Sequence, residues 1–200
     1  MAKKHLRLSI LAAILFLFCF PDKSSAQNFA VKTNLLYDAT ATVNVGAELR
    51  LARKWSLDVS GNMNFWSFSG GKRWKHWMVQ PEARFWFCRS MGGHFLAFHA
   101  IGGQYNVGNV NLDFLSFLDN GFKSTRDLRH QGWFGGGGIG YGYSWIVSRH
   151  FNIEAEIAAG YLYTRYDVYR CAGCGRKIAS DLHHHYFGPT KIALNFVYVF

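Results

Sequence analysis

Residues with the chemistry of a binding site lie near the end of the chain, where Cys171-Ala-Gly-Cys174 precedes His183-His184-His185. Two thiolates and one or two imidazoles can complete the tetrahedron that zinc prefers. In an oxidising compartment the same two cysteines can instead close a small disulfide. The spacing matches no standard zinc finger. We therefore expect a structural disulfide, a zinc site or redox-active thiols in this segment, and no other cofactor.

Charged residues form a second candidate set, because they recur at every second position, which is the period of a β-strand. In residues 41–51, apolar side chains occupy the odd positions, whereas Glu48 and Arg50 occupy even ones. Five acids and four bases with this pattern are near electrical balance, and buried charges need partners. We predict that they form a salt-bridged network inside a closed sheet with no open pore. The predicted network consists of Lys32, Glu48, Arg50, Asp58, Glu82, Arg84, Glu154, Glu156 and Lys191.

Eight strand-like segments must position these side chains, and Gly-rich or basic turns separate them. The connections alternate between short and long, and the two longest comprise residues 107–131 and 167–188. Pro81 lies inside the fourth segment, where we expect a β-bulge because proline cannot donate to the ladder. The pattern assigns no facing to the fifth strand. The predicted strands cover about residues 29–37, 41–51, 55–65, 77–88, 94–106, 133–147, 151–166 and 191–200.

The last predicted strand places Ile192, Leu194 and three aromatic residues on one face and Lys191 on the other. A strand of this kind can face lipid on one side and a polar interior on the other. We predict an all-β fold, an eight-stranded antiparallel up-and-down transmembrane β-barrel. A soluble sandwich or lipocalin-like barrel is the competing fold, but it would place its large apolar residues inside. The aromatic residues Phe196, Tyr198 and Phe200 are the predicted closing-strand signal for the barrel-assembly machinery.

The N-terminus has the features of a secretory signal peptide, with basic residues before an apolar run and small residues at 24–26. We predict cleavage of residues 1–26 and a barrel domain over 27–200, in a Gram-negative outer membrane with both termini periplasmic. The net charge is +10, and removing the four basic and one acidic residues of that segment leaves +7. An exported chain without a groove-reading motif is not expected to bind nucleic acid. Basic loops lying against anionic outer-membrane lipid explain the excess.

The longest connection carries an apolar cluster, Phe114, Leu115, Phe117 and Leu118. Such a cluster on an outer loop packs on itself, forms a short interfacial helix or contacts a partner protein. An enzyme needs a nucleophile or base held beside a polarising group. The sequence brings no such set together, because its histidines are scattered among the predicted strands and turns. We therefore predict no catalytic residues and no enzymatic activity.

Five short motifs occupy residues 30–38, 131–134, 140–143, 171–175 and 186–191. Together they resemble one family of small outer-membrane barrels of unknown function from Bacteroides-type Gram-negative bacteria. The resemblance implies an OmpA/OmpX-like barrel of eight strands, frequently encoded near genes for fimbrial or other surface proteins. It supplies no catalytic residues.

The function that we expect is presentation of extracellular loops to a partner, such as a fimbrial or other envelope protein. A small-solute or ion conductor is one alternative, and it would require a water-filled interior. An outer-membrane lipid-modifying enzyme is another, and it would require a site that the sequence does not reveal.

Overall fold

The computed structural model describes residues 28–66, 71–110, 128–171 and 175–200. The predicted signal peptide, residues 1–26, lies outside this part of the chain. The described residues form eight strands and one helix of five residues. In chain order they are β1 (Phe29–Asn34), α1 (Leu35–Ala39), β2 (Val43–Ala52), β3 (Trp55–Asn64), β4 (Arg73–Trp86), β5 (Gly93–Gly108), β6 (Arg129–Ile146), β7 (Phe151–Tyr169) and β8 (Lys177–Val199).

Each strand pairs antiparallel with the next one along the chain. The first strand also pairs with the last, from Ala30↔Val199 to Asn34↔Asn195, so the strand order is that of a closed barrel. The predicted all-β fold of eight antiparallel strands in up-and-down order is thereby confirmed. Among the described residues, no helix is long and apolar enough to cross a membrane.

The strands at the end of the chain are longer than predicted. Residues 167–188 were expected to form a loop, but β7 continues to Tyr169 and β8 already begins at Lys177. The prediction was wrong because this part of the sequence is polar and lacks an apolar alternation. The added length is held by pairing with β7, as in Tyr163↔His185.

Two local predictions also need correction. The first strand ends at Asn34, whose side chain accepts a hydrogen bond from the Leu36 N–H and caps α1. At Pro81 the expected bulge is absent: this described residue pairs in register with Val59, and the β4–β5 register is the same on both sides of it. The sheet tolerates the missing N–H donor without inserting a residue.

A bulge does occur in β8, where the pairing with β7 shifts between Pro189 and Lys191. Because side chains alternate between faces, a shift of one residue exchanges the two faces of the strand. Between Leu182 and the bulge the outward residues are therefore odd, as in Phe187, and after it they are even, as in Ile192. Two further shifts in register lie between Leu182 and Lys177. A single two-residue period could not have described the whole strand.

The outer surface is more apolar than the interior, the reverse of a soluble barrel. Large outward side chains such as Leu51, Ile139 and Ile157 are about 60% exposed. Among the described residues, the apolar clusters of the interior are small: Trp86 with Phe95 and Ala97, and Ala30 with Met91, Val197 and Val199. Most buried side chains in the middle of the sheet are instead polar or charged.

Strands β6 and β7 approach closely at a run of glycines. A Cβ at Gly160 would collide with the backbone of Gly137 and Gly138, and backbone atoms cannot rotate away as a side chain can. By contrast, a Cβ at Gly61 in β3 would meet nothing within 4 Å. The two glycines therefore form a matched pair of test sites within one sheet.

We expect Gly160→Ala to lower the free energy of unfolding by about 1–3 kcal/mol, since overpacking forces the strands apart. Urea denaturation followed by tryptophan fluorescence measures the change. The control Gly61→Ala should leave stability unchanged or raise it slightly, because glycine weakens a strand interior. Equal effects of the two substitutions would show that β6 and β7 do not approach closely at Gly160.

Candidate functional site: a buried ion cluster

The interior of the sheet contains a cluster of eight charged side chains, which we call the ion cluster. Each member is less than a tenth exposed. Six of the eight strands contribute to it, so the cluster joins opposite walls of the barrel. Its members are Lys32, Glu48, Asp58, Glu82, Arg84, Glu154, Glu156 and Lys191.

Arg84 lies at the centre of the ion cluster, and its side chain is 0% exposed. Its Nη1 donates to Glu48 Oε2 at 3.0 Å and to Glu154 Oε2 at 2.9 Å. Its Nη2 donates to Glu156 Oε2 at 3.0 Å, and its Nε donates to Glu82 Oε1 at 2.6 Å. A guanidinium has five N–H donors in a fixed plane, which is why one arginine can serve so many carboxylates.

The two lysines of the ion cluster serve separate halves of it. Lys32 Nζ pairs with Glu48, with Asp58 Oδ2 at 2.5 Å and with Glu154 Oε2 at 3.2 Å. On the other side, Lys191 Nζ lies 2.7 Å from Glu82 Oε2 and 3.0 Å from a Glu156 carboxylate oxygen. Every carboxylate of the ion cluster therefore contacts at least one lysine as well as Arg84.

Two aromatic side chains, Phe95 and Trp86, pack beside the ion cluster. The Arg84 guanidinium carbon lies 4.6 Å from the centroid of the Phe95 ring, which in turn lies 4.6 Å from the ring of Trp86. Trp86 Nε1 donates to Ser56 Oγ at 2.7 Å, and Ser56 Oγ donates to Glu48 Oε1 at 2.5 Å. The cation–π contact and this hydrogen-bonded chain fix the orientation of both the base and one acid.

Glycines on neighbouring strands leave room for these long side chains. A Cβ at Gly46 would lie 2.7 Å from Lys32 Cγ, and one at Gly140 would lie 3.2 Å from Glu156 Oε1. Gly140 of β6 therefore leaves room for the Glu156 carboxylate. At Gly136 and Gly138 the obstacle is instead the backbone of β7, so those glycines allow strands to approach.

Arg50 is the one predicted member that the structure leaves out. It is half-buried, and it makes no ion pair with the eight described residues of the cluster. Its place near the end of β2, opposite Ser56 in register, explains the difference, since a side chain there reaches solvent. The prediction of five acids against four bases was therefore wrong in its balance: five carboxylates face three bases.

Sequence reasoning missed His99, which faces the interior of β5 opposite Glu82. It is 5% exposed, and within the described part of the chain neither ring nitrogen has a hydrogen-bond partner. The signal that could have found it is the hairpin register. Once Glu82 and Arg84 are known to face inward, their partners across the β4–β5 turn, His99 and Ala97, must do so too.

The candidate residues near the end of the chain do not converge on one site. Cys171 is disulfide-bonded, and Cys174 lies outside the described residues. His183 and His185 face outward, where they hydrogen-bond the hydroxyls of Tyr163 and Tyr161. His184 lies on the opposite face of the strand, so the three imidazoles cannot bind one ion together. In the described ranges no three metal-ligating side chains gather in a group that could hold a metal ion.

Ion pairs tie the outer ends of β7 and β8 together. The Lys177 ammonium donates to Asp167 Oδ2 at 2.6 Å and holds the pKa of that carboxyl below its usual range. Arg165 pairs with Asp181 in the same region. These exposed pairs are worth little individually, because water screens them.

The remaining predicted residues have separate outcomes. Phe196 and Tyr198 face outward and pack against Phe151, with ring centroids 5.3 and 5.2 Å away, and Phe200 packs against Phe29 at 5.6 Å. Their role as an assembly signal stays a prediction. The apolar set Phe114, Leu115, Phe117 and Leu118 lies outside the described residues.

The fold and the ion cluster together define an all-β protein with an apolar exterior and a charged, occupied interior. A family model described as a protein of unknown function, DUF3575, matches residues 11–200, and the chain belongs to this family. The chain matches no curated protein and no solved structure. The resemblance to a family of unknown function is confirmed, whereas the OmpA/OmpX-like membrane barrel and the Bacteroides-type origin stay predictions.

We expect Arg84→Met to lower the free energy of unfolding by about 3–5 kcal/mol, because it leaves five buried carboxylates facing two lysines. Urea denaturation of the folded chain measures the loss. The control Arg50→Met removes the same charge from a half-buried site and should change stability by less than about 1 kcal/mol.

If Arg84→Met does not fold at all, Arg84→Lys keeps the charge and loses only the planar donors. We expect it to fold with intermediate stability. A loss no larger than that of Arg50→Met would show that the ion cluster does not hold the barrel together.

Proposed function

We propose that this protein is an outer-membrane β-barrel whose interior is closed by the ion cluster, and that it serves as a rigid scaffold presenting loops to a partner. The observation that carries the proposal is the reversed distribution of polarity. Large apolar side chains cover the outside, whereas charges fill the inside. Lipid is the surrounding medium in which this distribution is stable.

The spacing of outward aromatic residues supports a membrane location. On β7, Phe151 and Tyr161 face outward ten residues apart, and the outward residues between them are Ile153, Ala155, Ile157 and Ala159. Ten residues of strand span about 33 Å, and a tilt of about 40° reduces this to about 25 Å along the barrel axis. That is the height of the apolar band that aromatic girdles flank in outer-membrane barrels.

The ion cluster supports a scaffold rather than a conductor. Arg84 and the lysines bridge opposite walls, so an ion crossing the interior would have to break several buried pairs. Each broken pair leaves an uncompensated charge in a medium of low dielectric constant, which is costly. A lipid-modifying enzyme has less support, because the carboxylates are held by bases beneath the barrel surface and away from its lipid-facing wall.

The partner is proposed to be a fimbrial component or another envelope protein, and the connection between β5 and β6 is proposed to contact it. Long connections on one side of an outer-membrane barrel face the exterior, while short turns face the periplasm. The turns after β2, β4 and β6 are short, and the chain ends on that same side, next to Phe29. Both termini would then be periplasmic.

We expect Ile157→Arg to destabilise the protein folded in lipid vesicles by about 2–4 kcal/mol, because position 157 lies midway between the aromatic girdles and faces lipid. The control Ile178→Arg, at the outer end of β8, should cost only about 0–1 kcal/mol. Both side chains are more than half exposed, so a barrel surrounded by water would tolerate the two substitutions equally. Denaturant unfolding in vesicles decides between these outcomes.

Cross-linking tests the proposed partner contact. A photoreactive residue at Phe117 in intact outer membranes should give a stoichiometric link to one envelope protein, identified by mass spectrometry. The matched position Lys54, in the turn between β2 and β3, lies at the opposite end of the barrel and should not link to that protein. Absence of any specific link from Phe117 would contradict the scaffold role and leave a structural barrel alone.

A further inference from the structure

A cavity of about 580 Å³ lies between the outer parts of β4, β5, β6 and β7. Most of its wall consists of residue triplets, one from each of these strands, and their middle residues are His76, Tyr105, Gly132 and Tyr166. Phe65, Ser180 and Asp181 complete the lining. These four residues are paired in sequence across the sheet, His76 with Tyr105, Tyr105 with Gly132 and Gly132 with Tyr166. They form a single rung around the barrel, which we call the aromatic rung.

The cavity lies inside the barrel. The aromatic rung shares its face with inward residues of the same strands, such as Met78, Ile101 and Glu82. Only the concave side of a closed sheet can bring four adjacent strands around one space. The outward neighbours of the rung, such as Trp77 and Trp133, border the cavity through their backbone because their side chains are exposed outside.

The inner end of the cavity is closed. Met78 lies one inward position deeper than the rung and Ile101 two, at 8% and 7% exposure, and Glu82 and Arg84 of the ion cluster lie beyond them. A molecule in the cavity can therefore enter and leave only through the outer end. This geometry suits a binding pocket rather than a passage.

The chemistry of the cavity lining limits the class of ligand. The aromatic rung comprises one imidazole, two phenols and a glycine, and the charged side chains beside it are Lys75, Arg165, Asp167 and Asp181. These two bases and two acids balance, and Arg165 pairs with Asp181 while Asp167 pairs with Lys177. A ligand with a net charge of either sign therefore finds no excess of the opposite charge, and burying an unpaired charge is costly. A purely aliphatic ligand would face hydroxyl and imidazole groups that it cannot hydrogen-bond.

We propose that the outer cavity binds a neutral saccharide. A sugar ring offers apolar C–H faces to aromatic side chains and hydroxyls to phenol and imidazole groups, which both donate and accept. Gly132 adds no side chain to the rung, and a Cβ there would collide with the backbone of Arg165 and Tyr166, so the two tyrosines are the phenols that a ligand would contact. The volume lies within the range of about 300–1,000 Å³ that is usual for small-molecule pockets.

The test is binding of uncharged sugars to the full mature chain, folded in a zwitterionic detergent because glycoside detergents would compete. Maltose, lactose and N-acetylglucosamine are the probes, and saturation-transfer NMR and calorimetry detect saturable binding. Tyr105→Phe and Tyr166→Phe each remove one hydroxyl and should weaken binding between about twofold and tenfold. The control Tyr161→Phe alters an outward hydroxyl, hydrogen-bonded to His185 at 2.6 Å, and should leave affinity unchanged.

Three outcomes would overturn the proposal. The first is that no probe binds the wild-type chain, and the second is that the probes bind equally well to the Tyr105→Phe/Tyr166→Phe double variant. The third is that gluconate, glucosamine or laurate binds as tightly as the neutral sugars, which would show that the cavity does not select for an uncharged polyol. Gel mobility with and without heating verifies that each variant is folded, so a loss of binding is not a loss of the barrel.

Discussion

The burial of Arg84 among five carboxylates is the constraint on which the rest of the structure depends. A charge without partners inside a barrel is too costly to keep, so the acids on the other strands must face Arg84 at the same height. A slip of one residue in any of these strands would turn its acid outward. The ion cluster therefore favours a single register around most of the barrel.

Much of this arrangement follows from the sequence, because alternation is clearest where the charges lie. In β2 and β3 the two-residue period places Glu48 and Asp58 on the inner face and their apolar neighbours on the outer face. Eight of the nine residues predicted to be inside meet in the ion cluster. Arg50 shows the limit of the argument. Alternation assigns a face but not a depth, and a residue near a strand end can reach water from the inner face.

What the sequence could not provide is register across turns and bulges. The facing of β5, and with it His99 and Tyr105, depends on how the β4–β5 hairpin aligns its two strands. The bulge near Pro189 exchanges the faces of β8, so the histidine triplet and the closing aromatic residues follow different parities. Both features arise from pairing between strands, which the pattern of a single strand does not contain.

The unequal strand lengths have a mechanical consequence. The first strand has the shortest pairings in the sheet, with β2 over Phe29–Lys32 and with β8 over Ala30–Asn34, whereas β7 and β8 pair along most of their length. Lys32 reinforces both short pairings from inside the barrel, because it pairs with Glu48 on β2 and with Glu154 on β7. Dissolved salt screens buried charges only weakly, so the strength of these joints should be nearly independent of ionic strength.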